Sequence, residues 1–311
     1  MRNIKAFSFI LMPLLISMPI LSLASTARAD SFSISHWEKD LQSALSAGKT
    51  DLTPFFDLGK IEKASLSRTM TADRKNMQDA RELYAKGKLD EAIQKYNLIE
   101  KGSDYWLEAV EEKAWAYHLE NNFEKSLAQT KTLLSQPLVE IVGSEPFFLQ
   151  SLSNLKICDY KSIFDTDQEF KDTQRARISA IEDLSKTGTS PAVSSALDKA
   201  EEFPLTFSEV GVEAKVLPRL FFRDLEVQKR MLQAKVTARG MALIQDRMSS
   251  ANDADKAKLA KIIDLLKKSN ASAMARLKVR MQKLAQVENQ QNRLLSGSQT
   301  FHVAHATLHK Y

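Results

Sequence analysis

A repeat of 34 residues constrains this chain more than any other feature. The stretch Asp79–Glu100 reads "DARELYAKGKLDEAIQKYNLIE". Adding 34 to Ala80, Gly87, Leu89, Glu91, Ala92, Ile93 and Ile99 lands on Ala114, Asn121, Phe123, Lys125, Ser126, Leu127 and Leu133. Small residues return as small and large apolar residues as large. Gly87 becomes Asn121, and both tolerate the left-handed turn that ends a helix. The period predicts a helix–turn–helix unit, with Ala80, Ala92, Ala114 and Ser126 letting paired helices approach. Ile93, Ile99, Leu127 and Leu133 would fill the seam to the next hairpin. One hairpin cannot bury its apolar face alone, so about three must stack.

A third copy, "NLKICDYKSIFDTDQEF", lies 37 residues on, with Cys158 at the turn, Tyr160 in place of Leu89 and Phe123, and Phe164 in place of Ile93 and Leu127. The segment "SQPLVEIVGSEP" accommodates the inserted residues, with Ser144 as the expected cap of a new helix and Pro146 in its first turn. Here Ile163 stands where a small residue is expected and Asp167 where Tyr96 stood. Gly (9) and Pro (8) are scarce in the 311 residues, and the hydrophobic content of 43% supports a core, so the expected class is all-α.

Residues 73–172 resemble the tetratricopeptide repeat family. "EKAWAYHLENNFEKSLAQTKTLL" and "FFLQSLSNLKICDYKSIFDTDQEF" look like exported bacterial members of it. The chain departs from the family pattern at Thr130 and Asp167, where an aromatic is usual, and in lacking Pro at the repeat ends. The resemblance implies a helical solenoid that binds proteins or peptides and carries no catalytic centre or cofactor. The first helix of each unit would line the binding groove. That places Arg74, Met77, Arg81 and Tyr84, then Glu108, Glu111, Trp115 and His118, then Phe148, Leu152 and Leu155 on the groove face. The expected partner-binding residues are Arg81, Tyr84, Trp115, His118, Phe148 and Leu152, with the aromatics as anchors and Arg81 as a carboxylate clamp. The alternative is that these side chains turn inward against the terminal helices, leaving no open groove.

The flanks complete the plan. Arg2 and Lys5 precede an apolar run, Ala6–Ala24, and Ala27-Arg28-Ala29 supplies a small-x-small site, so residues 1–29 read as a secretory signal peptide cut after Ala29. An uncleaved membrane anchor is the alternative. Export then implies a periplasmic or envelope location. In residues 30–72, "SHWEKDLQSALSAG" is a short amphipathic helix, expected to cap the first repeat. Residues 173–221 read as a linker with a helix near 174–185. Residues 222–296 read as an antiparallel, coiled-coil-like hairpin, with Leu225, Leu232, Val236 and Leu243 facing a stripe of Leu259, Ile263, Leu266, Asn270, Ala273, Leu277, Leu284 and Val287, interrupted by Arg280. The same stripe would equally suit self-association through a second chain. Residues 297–311 form a histidine-containing tail.

Charge is segregated. Residues 30–221 hold 24 Lys/Arg against 32 Asp/Glu, and residues 222–311 hold 17 against 7. The basic hairpin suggests an anionic envelope surface as a second kind of partner, and export argues against nucleic acid. Chemistry is otherwise sparse. Cys158, the only cysteine, forms no intrachain disulfide and is expected in the core. His302, His305 and His309 share a helical face but lack a nearby carboxylate or Cys to complete a metal site. Lys186-Thr187-Gly188, with Ser46-x-x-Lys49 or Ser153-x-x-Lys156, matches short elements of penicillin-binding serine acylases, which need the first element on a strand. The expected function is a non-catalytic exported scaffold or adaptor, the alternative being an envelope-docking protein that works through the basic hairpin.

Overall fold

A computed structural model describes residues 32–60, 72–103, 105–136, 138–205 and 207–310, and the proposed signal peptide lies outside them. The fold is all-α. Among the described residues the only strands are β1 (Phe32–Ser33) and β2 (Glu202–Phe203), paired antiparallel with Phe32 opposite Phe203.

Helix α1 (Ile34–Ser46) begins at Ser33, whose hydroxyl accepts from the His36 N–H. Three hairpins follow: α2 (Ala72–Ala85) with α3 (Leu89–Asn97), α4 (Trp106–Leu119) with α5 (Phe123–Leu133), and α6 (Glu145–Lys156) with α7 (Tyr160–Thr187). Each turns on one left-handed residue: Gly87 at φ 72°, Asn121 at 59° and Cys158 at 60°. The N–H of each turn residue donates to a carbonyl three residues back, on Tyr84, His118 and Leu155. The following N–H donates to one five residues back, on Leu83, Tyr117 and Asn154. Two otherwise orphaned carbonyls at each of the three helix ends are thereby satisfied by the same pair of bonds. Asn122 and Asp159 then cap the second helices, accepting from the Lys125 and Ser162 N–H groups at 3.3 and 3.1 Å.

The small positions lie where helices touch. Ala80, Ala92, Ala114 and Ser126 are all 0% exposed, and the large positions Ile93, Ile99, Leu127 and Leu133 are buried. Tyr96 closes one cluster with Met77, Ala80, Ala92, Ile99 and Ala109. A second joins Val110, Leu133 and Phe147 to Val139 and Val142 from the inserted segment, so the extra residues before the third hairpin are packing material. Complete burial of one such aliphatic side chain stabilises by about 1.5–3 kcal/mol. Cys158, expected in the core, is instead exposed at its turn.

Beyond the hairpins the structure corrects several expectations. Residues 173–221 are not a linker. Helix α7 continues unbroken to Thr187, α8 spans Pro191–Lys199, and the chain after it, β2 followed by short one-turn and 3-10 helical pieces, buries Phe203, Leu205, Val210, Ala214, Leu217 and Phe221. Lys186-Thr187-Gly188 ends a helix and lies on no strand. Gly188 sits at φ 69°, and a Cβ there would fall 2.5 Å from the Lys278 carbonyl oxygen, so only glycine lets α7 end against its neighbour.

Two long helices finish the chain, α9 (Leu225–Ser249) and α10 (Asp253–Lys310), packed as a hairpin over the first part of α10. The tail at 297–311 is no separate unit, since α10 runs on to Lys310. Helix α1 packs on α9, so it does not cap the first hairpin. With α8, α9, α10 and the end of α7 it encloses the largest apolar cluster, around Trp37, Leu41, Ile181, Leu184, Phe203, Phe221, Leu232 and Leu277. Leu225 and Val287, expected in the hairpin stripe, are 47% and 62% exposed. Past Leu284, α10 leaves α9 for α7 and α6, and its inward face turns largely polar: Glu288, Asn292, Gln299 and His302 are buried there, beside the small Ala285 and Ala306.

Candidate functional site

Where α10 and the segment ahead of α9 meet the hairpins, they enclose a cleft of about 380 Å³. Helix α4 contributes Glu108, Glu111 and Glu112, whose 3–4 spacing puts them on one face. Arg81 comes from α2, Glu145 from the start of α6, Arg219 and Arg223 from the segment before α9, and Glu288 from α10. Five glutamates thus face three arginines, with Pro218, Leu220, Leu284 and Val287 as apolar wall.

The floor is a buried chain of charges. Arg177, on α7, donates to Glu288 at 2.6 Å and to the Lys215 and Leu217 carbonyls at 2.6 and 3.1 Å. Its side chain is 4% exposed and that of Glu288 7%. Glu288 also accepts from the Arg219 backbone N–H at 2.8 Å. The Arg219 guanidinium donates to Glu111 at 2.8 Å. Burial pushes the Glu111 carboxyl up to about 7; Arg219 pulls it down, and Glu145 adds to the rise. Burial alone would lower Arg219, but Glu111, Glu145 and Glu288 hold it above the usual guanidinium range.

The mouth is more open. Arg81, 49% exposed, donates to Glu112 at 2.6 Å and Glu108 at 2.7 Å. Glu108 also pairs with Arg223, whose guanidinium lies over the Tyr105 ring. The Tyr96 hydroxyl donates to Glu112 at 2.8 Å, and burial together with that carboxylate raises its pKa.

The expected partner-binding residues separate in this setting. Arg81 lines the cleft, but its charge is engaged by two glutamates. Tyr84 is half-buried in the first hairpin's cluster. Trp115 donates its indole N–H to Glu145 at 2.6 Å, and its ring lies 6.1 Å from that of Phe148. His118 is buried, with Nδ1 2.9 Å from the Ser153 hydroxyl oxygen, and burial lowers its pKa. The Phe148 ring lies 5.3 Å from that of His302 on α10. Leu152 is half-buried on the same helix. Over the third hairpin the expected groove face is therefore covered by the chain's own last helix. Ser144, the expected cap of α6, donates its hydroxyl to Asn292 at 2.7 Å, and Gln299 donates to Ser151 at 2.5 Å.

Sequence reasoning missed Glu112, Glu145, Arg219, Arg223, Glu288 and Gln291. Arg219 and Arg223 come from irregular chain with no periodicity to read. Glu288 carried a signal: Leu277, Met281, Leu284 and Glu288 keep 3–4 spacing, so the inward face of α10 continues through a carboxylate. His302 and His305 both lie on α10, and the side chain of His309 is outside the described set. Among the described residues no three His, Cys, Asp or Glu side chains are grouped to hold a metal ion, and no helix is long and apolar enough to cross a membrane. No family model, curated protein or solved structure matches this chain.

Proposed function

We propose that this protein is a non-catalytic exported scaffold or adaptor, and that its cleft receives a short stretch of a protein or peptide partner bearing a lysine or arginine side chain. The observation that carries the reading is the cleft itself. It is large enough for one or two side chains, and its glutamates outnumber its arginines five to three. A partner cation would exchange into the Arg81–Glu108–Glu112 set at the mouth, where charge-assisted hydrogen bonds are strong and solvent still has access. The floor, Arg177–Glu288–Arg219–Glu111, would hold its shape during that exchange.

Catalysis is the weaker reading for a physical reason. A carboxyl titrating near 7 has the value expected of a general acid or base. Glu111, however, is 6% exposed at the cleft wall and its carboxyl is held by the Arg219 guanidinium at 2.8 Å, which leaves it little freedom to exchange a proton with a substrate. The cleft lining contains no His, Ser, Cys or Lys. Export rests on the leader and the Ala27-Arg28-Ala29 site, and N-terminal sequencing of the exported protein is expected to begin at Asp30.

The test is a photoreactive residue in place of Leu220, which lines the cleft and is 43% exposed. A cross-linked partner is expected from position 220 and none from position 161, on the far-exposed start of α7. Glu112→Lys, in a protein whose helix content is unchanged, is expected to abolish the adduct. Undiminished capture by that variant, or no adduct at position 220, contradicts the reading.

A further inference from the structure

The outer face of α10 carries a second surface, which meets the cleft only at Val287. Stepping along the helix by three and four residues gives Lys258, Lys261, Leu265, Lys268, Ser272, Arg276, Val279, Lys283, Val287, Gln290 and Leu294, and every one is exposed. Leu265, Val279, Val287 and Leu294 are 65%, 52%, 62% and 67% exposed, the largest part of the apolar surface that α10 leaves uncovered. At 1.5 Å per residue the row extends for about 54 Å. Among the described residues Lys261, Lys268, Arg276 and Lys283 make no ion pair, whereas Arg81, Lys95, Lys161 and Lys171 of the hairpins are each paired with a carboxylate. Asp264 is the only exposed carboxylate of α10 between Lys256 and Leu294, and it pairs with Lys267 at 3.9 Å.

We propose that this face of α10, from Lys258 to Leu294, docks along the surface of an anionic phospholipid bilayer. Charge complementarity selects that occupant. Spaced apolar side chains set among unpaired lysines match an interface where acyl chains lie beneath anionic headgroups. A second copy of the chain fits poorly, because it would oppose one row of cations with another and supply no carboxylates between them. A nucleic-acid backbone would use the cations and leave four large apolar side chains in water. The helix lies on the bilayer and does not enter it, since its inner face is committed to α9 and α7.

Flotation with vesicles tests this directly, using the chain from Asp30 onward, which contains every described element. Vesicles of equal phosphatidylglycerol and phosphatidylcholine are compared with phosphatidylcholine alone. Binding is expected only to the anionic vesicles, falling steeply as salt rises from about 0.05 to 0.3 M. The triple variant Lys261→Glu, Arg276→Glu, Lys283→Glu is expected to lose about 100-fold or more in affinity at unchanged melting temperature. Serine at Leu265, Val279, Val287 and Leu294 is expected to weaken binding by at least about 10-fold and leave helix content intact. Equal binding to both vesicle types, or a triple variant that binds like the parent, overturns the proposal. So does a dimer in solution that the serine variant dissolves, or tighter binding to duplex DNA than to the anionic vesicles.

Discussion

Two regions of this molecule are held together by different chemistry. The body formed by α1, α8, α9 and the first half of α10 closes over apolar side chains, and Phe203, Phe221, Met231 and Leu232 are each 0% exposed. The seam between that body and the hairpins is polar. Its buried residues are Arg177, Glu288, Glu111, Asn292 and Gln299. Apolar burial is non-directional and tolerant of small shifts. A buried ion pair has the opposite character: its desolvation offsets most of its attraction, and it fixes geometry more than it adds stability. The body therefore supplies the stability, and the seam sets where the hairpins sit and what shape the cleft takes.

The largest effect is expected from breaking the seam at its most buried pair. Glu288→Ala strands Arg177 and is expected to cost about 3–5 kcal/mol, against about 2–5 kcal/mol for Leu232→Ala in the body. Urea melts of both variants check the magnitudes. A Glu288→Ala cost well below that of Leu232→Ala would break the comparison.

Glu111 gives the pH arm. Its folded value of about 7 lies above its ordinary 4.5, so the folded state holds the proton more tightly. Its contribution is fully present below about 4.5 and is lost as pH rises through about 7. Between pH 5 and 8 the parent is expected to lose about 2–3 kcal/mol that the Glu111→Gln variant retains. Parallel pH curves for the two proteins would mean that Glu111 is ionised throughout.

Ala92→Leu tests the apolar contact inside one hairpin, where the residue is 0% exposed, and overpacking there is expected to cost about 1–3 kcal/mol with no dependence on pH. The smallest effect is a gain. Cys158 holds a left-handed conformation that glycine adopts at the equivalent turn of the first hairpin. Cys158→Gly is expected to raise stability by up to about 1 kcal/mol, read from the melting temperature.

The hairpins were legible because their signal is local. A small residue at the helix contact and a turn residue that accepts positive φ recur at a fixed period, so Gly87, Asn121 and Cys158 could be aligned without knowing what surrounds them. The body was not legible where its backbone is irregular. Phe203, Leu205 and Phe221 follow no helical or strand period, and "KTGTSPAVSS" has the composition of a loop although α8 forms within it. The cleft was half legible. Arg81, Glu108 and Glu111 follow from the repeat register, Glu112 was not read from it, and Arg219 and Glu288 reach α4 from more than 100 residues away. The covering of Phe148 depends on α10 returning over the third hairpin, where His302 meets its ring, and nothing local to Phe148 encodes that return.

Segment-resolved hydrogen exchange on the parent and on Arg219→Ala tests the division most directly. Arg219 joins the segment before α9 to Glu111 of α4, and its loss leaves that carboxyl buried without its partner. The expected result is a loss of protection confined to α4, α6 and residues 215–223, with α1 and α9 as protected as in the parent. A loss spread evenly over all helices would mean that body and hairpins unfold as one unit, and unchanged protection at α4 would mean that the charged seam does not hold the hairpins in place.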